Sequence, residues 1–354
     1  MKIKLAILDS NQNYLNRMVS AFGSRYAENL EIYSFTNQEM AMSTLAPSRI
    51  DILIASDTFE IDAEELPKHC SLAYFVESSE METVNGQRAI CKYQKADLIY
   101  KTILSIYAEK ASNVTGVKLI DGDTVIIAFT SVGGGAGTSS MAAATALRYA
   151  QQNKKTLYLN FEKFGSSDAF FTGEGQFDMS DVIFALKSKK TNLSLKLESC
   201  VKQDKRGVYF YSSSKVALDM NELTTEDIQR LISEARTVGA YDYIILDLGF
   251  ALDNDTMTIL RGMHGIVWVG DGSRTSNVKI ARAYEALAAL EEGSDVSLSS
   301  RIRLIYNKFS NKTSEILEGI DIKNIGGAPR FEHASAEQVM EELSKMEMLD
   351  KIIG

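Results

Sequence analysis

The fold is decided by the stretch Val125-Ile-Ile-Ala-Phe-Thr-Ser-Val-Gly-Gly-Gly-Ala-Gly-Thr-Ser139. Its apolar start predicts a buried strand, and the Ala-rich residues 140–151 that follow predict a helix. The four glycines between them allow backbone N–H groups to approach an anion, and the helix end adds partial positive charge. The stretch therefore predicts a phosphate-binding loop rather than a flexible surface loop.

Apolar segments and helical patterns continue to alternate after this loop. Such alternation is typical of a doubly wound, mostly parallel sheet. The sequence predicts these strands, by residue number: 124–130, 156–159, 208–211, 243–246, 265–269 and 302–306. It predicts these helices: 140–151, 224–237, 276–290 and 336–353.

A second α/β pattern precedes the loop. Residues 3–8, 50–55 and 72–76 are apolar and predict strands, while residues 14–27 and 96–108 predict helices. The fold class expected is α/β, with two doubly wound parallel-sheet domains. The predicted boundaries are residues 1–108 for the first domain, 109–116 for a polar linker and 117–354 for the second domain.

Composition excludes several classes of function. The net charge of −9 and the lack of a basic tail argue against nucleic acid as a specific partner. The chain has no predicted signal peptide and no apolar run long enough to span a membrane. Its three cysteines are far apart and predict neither a disulfide framework nor a zinc site. We therefore expect a cytoplasmic protein without a transmembrane segment.

The loop departs from the pattern G-x-x-x-x-G-K-[ST]. Val132 stands at the place of the first glycine and Thr138 at the place of the lysine, whereas Ser139 keeps the hydroxyl that binds Mg²⁺. The loop resembles the deviant Walker A motif of the ParA/MinD ATPases, K-G-G-x-G-K-[ST], with Gly133 and Thr138 replacing its two lysines. This resemblance implies ATP and Mg²⁺ as cofactors. The loop residues implied to bind them are Gly133, Gly134, Gly135, Ala136, Gly137, Thr138, Ser139 and Ser140.

Four further segments carry the resemblance. Residues 155–162 resemble the family's second strand, with Asn160 and Glu162 at its acidic positions. Residues 241–249 resemble the Walker B strand, with Asp247 at the acidic position. Residues 265–270, followed by residues 276–282, resemble the strand and helix that come after the family's Walker B strand. Residues 305–309 resemble the strand whose terminal asparagine reads adenine, and Ser310 stands where a guanine-binding motif has Asp. The implied catalytic residues are Glu162 and Asp247, the implied metal ligands are Ser139, Asp247 and Glu162, and the further nucleotide contacts are Asn307, Lys308 and Pro329.

The first 108 residues resemble a response-regulator receiver domain that has lost part of its site. Asp9 follows the first strand, but Ser10 replaces its acidic neighbour. Ser56 stands where the phosphate-accepting aspartate belongs, and Asp57 is one residue late. Lys92 matches the receiver lysine. Phosphorylation needs two supporting acids for Mg²⁺, so a dimerisation or docking surface is the expected role of this domain.

A degenerate receiver followed by a ParA/MinD-like domain resembles the TadZ/CpaE family of pilus-assembly proteins. The resemblance implies an ATP-binding homodimer that localises a tight-adherence, Flp-type pilus machinery, works with other proteins of that machinery and is recruited to a cell pole.

The missing lysines predict weak or absent ATP hydrolysis. Phosphoryl transfer depends mainly on placed positive charge and a metal, and Thr138 can donate only a neutral hydrogen bond. Candidate substitutes for the lysines are Lys154, Lys163, Arg274 and Lys308. Whether the chain is an enzyme is left open.

Two alternatives also stay open. One is an active MinD/ParA-type positioning ATPase with a membrane-binding tail or DNA binding, although the acidic polar face of residues 336–353 favours packing on its own domain. The other is a phosphorylation-regulated signalling protein that uses Asp57.

Overall fold

The computed structural model describes residues 2–110, 124–188, 191–292 and 297–353. By internal contacts the chain divides into two compact units. Unit 1 comprises Met1–Val117 with Ser188–Ser199, and unit 2 comprises Lys118–Lys187 with Cys200–Gly354. Both units are α/β with mostly parallel sheets, which confirms the predicted fold class.

Strands and helices alternate along most of the described chain. The strands are β1 (Ile3–Leu8), β2 (Leu30–Phe35), β3 (Ile52–Ser56), β4 (Ser71–Val76), β5 (Thr83–Val84), β6 (Gln87–Cys91), β7 (Val125–Thr130), β8 (Thr156–Asn160), β9 (Lys202–Gln203), β10 (Tyr209–Phe210), β11 (Tyr243–Asp247), β12 (Gly265–Gly270), β13 (Ile302–Phe309) and β14 (Lys323–Pro329). The helices are α1 (Gln12–Arg25), α2 (Gln38–Leu45), α3 (Ala96–Lys110), α4 (Thr138–Gln151), α5 (Met179–Lys187), α6 (Leu193–Cys200), α7 (Thr225–Gly239), α8 (Asn254–Arg261), α9 (Arg274–Glu291) and α10 (Ala336–Ser344).

Unit 1 is built on a sheet with the strand order β2-β1-β3-β4-β6-β5. Its neighbouring strands are parallel, except for the short hairpin of β5 and β6. β3 and β4 are buried along their whole length, as central strands covered on both faces must be. Alternate strand residues point to opposite faces, so one apolar cluster packs with α1 and α3 and the other with α2.

The sequence patterns located β1, β3, β4, α1 and α3 to within a few residues, but they missed β2, α2 and β6. The predicted linker 109–116 was wrong for Glu109 and Lys110, which belong to α3. The rest of that linker, and Val117 at the predicted start of the second domain, lie outside the described residues.

A short helix distant in sequence completes unit 1. The helix α6 packs on α3: the N–H of Asn192 donates to the carbonyl of Ala108 at 2.9 Å, and Leu195 contacts the apolar cluster. The Lys196 side chain is 3% exposed, and its ammonium donates to the hydroxyl of Ser105 at 2.7 Å. Residues Ser188–Ser199 are therefore grouped with unit 1, although their sequence position is within the predicted second domain.

Unit 2 is built on a sheet with the strand order β14-β13-β12-β7-β11-β8-β10-β9. Its pairs are parallel apart from β9 with β10. β7 lies between β12 and β11, and Asp247 at the end of β11 is in register with Phe129 and Asn160. The carboxyl ends of these strands therefore meet at one edge, where ligands of open α/β sheets bind.

The single C-terminal helix predicted for residues 336–353 was wrong. α10 ends at Ser344, and a separate 3-10 helix follows at Glu347–Lys351. Met340 and Leu349 both reach the core. They are nine residues apart and would face opposite sides of one straight helix at about 100° per residue, so the chain must turn between them.

The sequence pattern of this segment predicts one apolar stripe, formed by Val339, Leu343, Met346, Leu349 and Ile353. Leu343, Leu349 and Ile352 are buried in the main cluster of unit 2, where Val339 and Met346 also pack. Packing on its own domain is thereby confirmed, with Ile352 rather than the 39%-exposed Ile353 as the last core residue. In the part of the chain that the structure describes, no helix combines the length and the apolar character needed to cross a bilayer.

Candidate functional site

The glycine loop joins β7 to α4 at the centre of the unit 2 sheet. Gly135 and Gly137 have φ angles of 80° and 84°, in the region that favours glycine. Gly137 is also the N-cap of α4, and a Cβ there would collide with the side-chain amide nitrogen of Asn307. The loop can follow this path only with glycine at 137, and it leaves the first N–H groups of α4 available for an anion.

Neighbouring strands hold the loop in place. The hydroxyl of Ser131 lies 2.7 Å from the carbonyl of Val269 at the end of β12. From β13, the Asn307 amide donates to the Ala136 carbonyl at 2.9 Å, and the Lys308 ammonium donates to the Gly135 carbonyl at 2.8 Å. Lys308 has a φ of 58°, which is uncommon for lysine and aims its side chain at the loop.

A buried carboxylate stands at the end of β11. Asp247 is 0% exposed, and its Oδ2 accepts hydrogen bonds from the Tyr158 hydroxyl at 2.9 Å and the Asn160 amide at 2.8 Å. Its Oδ1 is buried and has no hydrogen-bond partner among the described residues. An unsatisfied buried carboxylate oxygen is costly, and the acceptor is suited to a ligand that brings a donor or a cation.

Burial raises the pKa of Asp247 to about 7, and the nearby negative charge of Glu162 adds to the increase. The hydroxyls of Ser139 and Tyr158 act in the opposite direction, because they stabilise the ionised form. Among the described residues, no positively charged side chain contacts the Asp247 carboxylate. The site is therefore short of positive charge.

Ser139, in the first turn of α4, contacts Glu162, the second acidic residue of the site. Its hydroxyl donates to Oε2 of the half-buried Glu162 at 3.2 Å. Ser139, Glu162 and Asp247 thus lie together, as a magnesium site would require. The described residues contain no group of three or more His, Cys, Asp or Glu side chains placed to hold a metal, so a cation here would also need oxygen ligands from water or phosphate.

The remaining predicted site residues lie around this edge. Thr138 and Ser140 are in the first turn of α4, and Pro329 ends β14 in register with Phe309 of the neighbouring strand. Asn307 is 2% exposed and binds the loop backbone, while its Oδ1 accepts the N–H of Lys308 at 3.0 Å. Adenine reading by Asn307 stays a prediction.

Of the four candidate substitute cations, Lys308 is the one whose contacts place it on the loop. Lys154 follows the far end of α4, whose 14 residues span about 20 Å. Lys163 and Arg274 are exposed, and no described contact joins them to the loop. Lys279 was not among the predicted candidates, yet its side chain lies next to Gly133.

Unit 1 has its own polar cluster at the carboxyl edge of its sheet. The Lys92 ammonium pairs with Oδ2 of Asp9 at 2.8 Å and donates to the hydroxyl of Ser56 at 3.1 Å. Asp9 and Ser56 are each 1% exposed, whereas Asp57 is exposed. The other carboxylate oxygen of Asp9 accepts the N–H of Asn11 at 2.8 Å. The Lys92 ammonium thus balances the charge of the buried Asp9, although Oδ2 of Asp9 makes no hydrogen bond of ordinary geometry.

Comparison with known proteins separates the two parts of the chain. Residues 1–108 match the family model described as "TadZ-like, receiver domain". No curated protein matches the chain. Among solved structures, a ParA family ATPase from Chlorobium tepidum is 23% identical, with a TM-score of 0.52, over 65% of this chain and 96% of that one.

Two other solved structures are similar at lower scores. The septum site-determining protein MinD from Pyrococcus horikoshii, in complex with Mg-ADP, is 16% identical over 65% of this chain and 98% of its own, with a TM-score of 0.49. A plasmid partition protein from Borrelia burgdorferi bound to AMPPNP is 16% identical over 65% and 98%, with a TM-score of 0.47. Residues 1–108 are therefore similar to a TadZ-like receiver domain, and the rest of the chain has a fold similar to that of the ParA family ATPase.

Proposed function

We propose that this chain binds ATP with Mg²⁺ at the glycine loop and serves as an assembly and localisation factor for a tight-adherence, Flp-type pilus machinery. The observation that carries the nucleotide part is the buried carboxylate of Asp247, which lies beside Ser139 and Glu162 with Oδ1 unsatisfied in the described structure. A divalent cation delivered with phosphates would satisfy this oxygen and remove the charge deficit. The N–H groups at the start of α4 would bind the phosphates themselves.

We expect nucleotide to be held rather than rapidly hydrolysed. Phosphoryl transfer needs positive charge placed on the transferred group, and the loop contains no lysine. The ammonium of Lys308 is already bonded to the carbonyl of Gly135. In this proposal bound ATP favours a homodimeric state, and turnover is slow or absent.

The assembly role is supported by unit 1. Its match to the TadZ-like receiver model supports this protein class. In its buried cluster of Asp9, Ser56 and Lys92, a serine stands at the position of the phosphate-accepting aspartate. Unit 1 would therefore dock another protein rather than receive a phosphoryl group. In this proposal the protein is cytoplasmic and is recruited to a cell pole with other components of the machinery.

The test uses the purified full chain. Nucleotide affinity, turnover and mass would be measured with and without Mg²⁺ for the wild type, for Asp247→Asn and for a control, Asp242→Asn. Asp242 precedes the same strand at its other end and is exposed. We expect Mg²⁺-dependent ATP binding that Asp247→Asn abolishes and Asp242→Asn retains, with turnover near background.

Two outcomes would contradict parts of this proposal. No ATP binding at millimolar concentration would reject nucleotide binding at this loop altogether. Brisk turnover, together with co-sedimentation with liposomes or DNA, would instead identify an active positioning ATPase.

A further inference from the structure

The ammonium of Lys279 lies against the glycine loop although it comes from another element. A Cβ built on Gly133 would lie 3.7 Å from Cδ and 3.9 Å from Nζ of Lys279. Gly133 is one of the two positions at which the loop lacks a lysine. A cation from α9 therefore occupies space beside a position where the loop itself offers none.

The sheet topology brings Lys279 there. β12 pairs with β7 in parallel register, so the helix that follows β12 starts beside the loop that follows β7. The hydroxyl of Ser131 lies 2.7 Å from the carbonyl of Val269 and joins the two strand ends. Ser273 caps α9 by accepting from the N–H of Ser276, which fixes the helix start one turn before Lys279.

Lys279 is also available to bind a ligand. Its side chain is exposed, and in the described structure its ammonium makes no hydrogen bond and no ion pair. The other cation at the loop, Lys308, is bonded to Gly135. Lys279 is thus the cation at this loop that could engage an anion without first giving up a protein contact.

We infer that Lys279 binds the outermost phosphate of the nucleotide, an inference that rests on the proposed function. The start of α4 offers its N–H groups to the phosphates at one end of the loop. Gly133 lies at the other end, so a cation beside it meets the phosphate most distant from α4. Lys279 then supplies from outside the loop the charge that Gly133 and Thr138 do not.

The test is titration of the full-length protein with ATP, ADP and AMP in the presence of Mg²⁺. The variants are Lys279→Gln, Lys279→Arg and the control Arg282→Gln, which removes an exposed cation one turn further along α9. We expect Lys279→Gln to weaken ATP binding about tenfold, ADP binding less and AMP binding not at all. Lys279→Arg should keep most of the affinity, and Arg282→Gln should match the wild type.

The inference fails if the wild type binds ATP and Lys279→Gln binds it equally well, and the proposed nucleotide site then stands. It also fails if Lys279→Gln weakens AMP binding as much as ATP binding, because the residue would then not act on the outer phosphate. If the wild type binds no ATP, the proposed function itself is rejected. Melting temperatures without nucleotide should agree among all four proteins, since Lys279 and Arg282 are exposed.

Discussion

Both units place a buried aspartate at the carboxyl edge of the sheet, but only one of the two carboxylates has a cationic partner among the described residues. In unit 1, Asp9 is paired with the Lys92 ammonium at 2.8 Å and accepts a backbone N–H with its other oxygen. Oδ2 of Asp9 and Oδ1 of Asp247 both lack a hydrogen bond of ordinary geometry, but no described cation pairs with Asp247, and burial raises its pKa to about 7.

The difference shows what each edge can still do. A carboxylate whose charge is balanced by a lysine has little to gain from a cation. A carboxylate buried without an ion pair gains more from one, which is why the Mg²⁺ site is proposed in unit 2 and not in unit 1.

Removing the Lys92 ammonium should have the largest effect on stability. Lys92→Met leaves Asp9 buried without its partner and is expected to lower the free energy of unfolding of unit 1 by about 3–5 kcal/mol. Hydrogen exchange of the β1 and β3 amides would measure the loss. The double variant Asp9→Asn with Lys92→Met buries no charge and should recover most of the stability. Unchanged exchange in Lys92→Met would show that the pair does not balance the site.

Removing the charge of Asp247 in unit 2 should stabilise the ligand-free protein. Asp247→Asn keeps an acceptor for Tyr158 and Asn160 and removes the charge, so the free energy of unfolding should rise by about 2–4 kcal/mol at pH 8. Denaturant unfolding without nucleotide would measure it. The pKa of Asp247 is higher in the folded than in the unfolded state, so the wild type loses stability as pH rises from about 4 to 7. The stability gained by Asp247→Asn should therefore shrink as the pH is lowered toward 4. The control is Glu285→Gln, which removes an exposed carboxylate of α9 in the same unit and should change stability little. A loss of stability in Asp247→Asn would contradict the charge argument.

The response to Mg²⁺ should depend on pH in unit 2. Mg²⁺ binds the ionised carboxylate and must displace a proton below pH 7. The additional stabilisation by MgATP over ATP with chelator should therefore be about 1 kcal/mol smaller at pH 6 than at pH 8. Thermal melting at the two pH values tests this, with Asp247→Asn expected to show no Mg²⁺ effect. A pH-independent Mg²⁺ effect in the wild type would mean that Asp247 is not a ligand.

The smallest expected effect is in unit 1. Acetyl phosphate with Mg²⁺ should leave the wild type unlabelled, because Ser56 stands at the acceptor position and Lys92 already engages Asp9. Mass spectrometry of the intact protein is the measurement, and Asp57→Ala should give the same result. Labelling that Asp57→Ala removes would restore the signalling alternative.

Much of the fold could be predicted because its central strands are short apolar runs between polar turns. The elements that were missed lack that contrast. β14 contains Gly326 and Gly327 and lies at the sheet edge, and β2 has only Leu30 fully buried. The end of α10 has no proline or glycine to mark it, because the turn there is set by which side chains reach the core.

The residues of the candidate site could be predicted only where a short stretch of sequence identifies them. The loop, Ser139 and Asp247 follow strand ends and were identified from sequence order. The approach of Lys279 to Gly133 depends on β12 being the neighbour of β7, and the left-handed backbone of Lys308 has no sequence signature. The protonation of Asp247 depends on burial and on Glu162, which are properties of the folded site.

The contact between Gly137 and Asn307 has a genetic consequence. A Cβ at 137 would occupy the position of the Asn307 amide, and the left-handed backbone there also disfavours any side chain. In Gly137→Ala, a smaller residue at position 307 should relieve the steric conflict. It would not remove the cost of the left-handed backbone at residue 137. A screen for suppressors of Gly137→Ala should therefore recover Asn307→Ser or Asn307→Ala, and only as partial suppressors, which makes these two distant codons an epistatic pair.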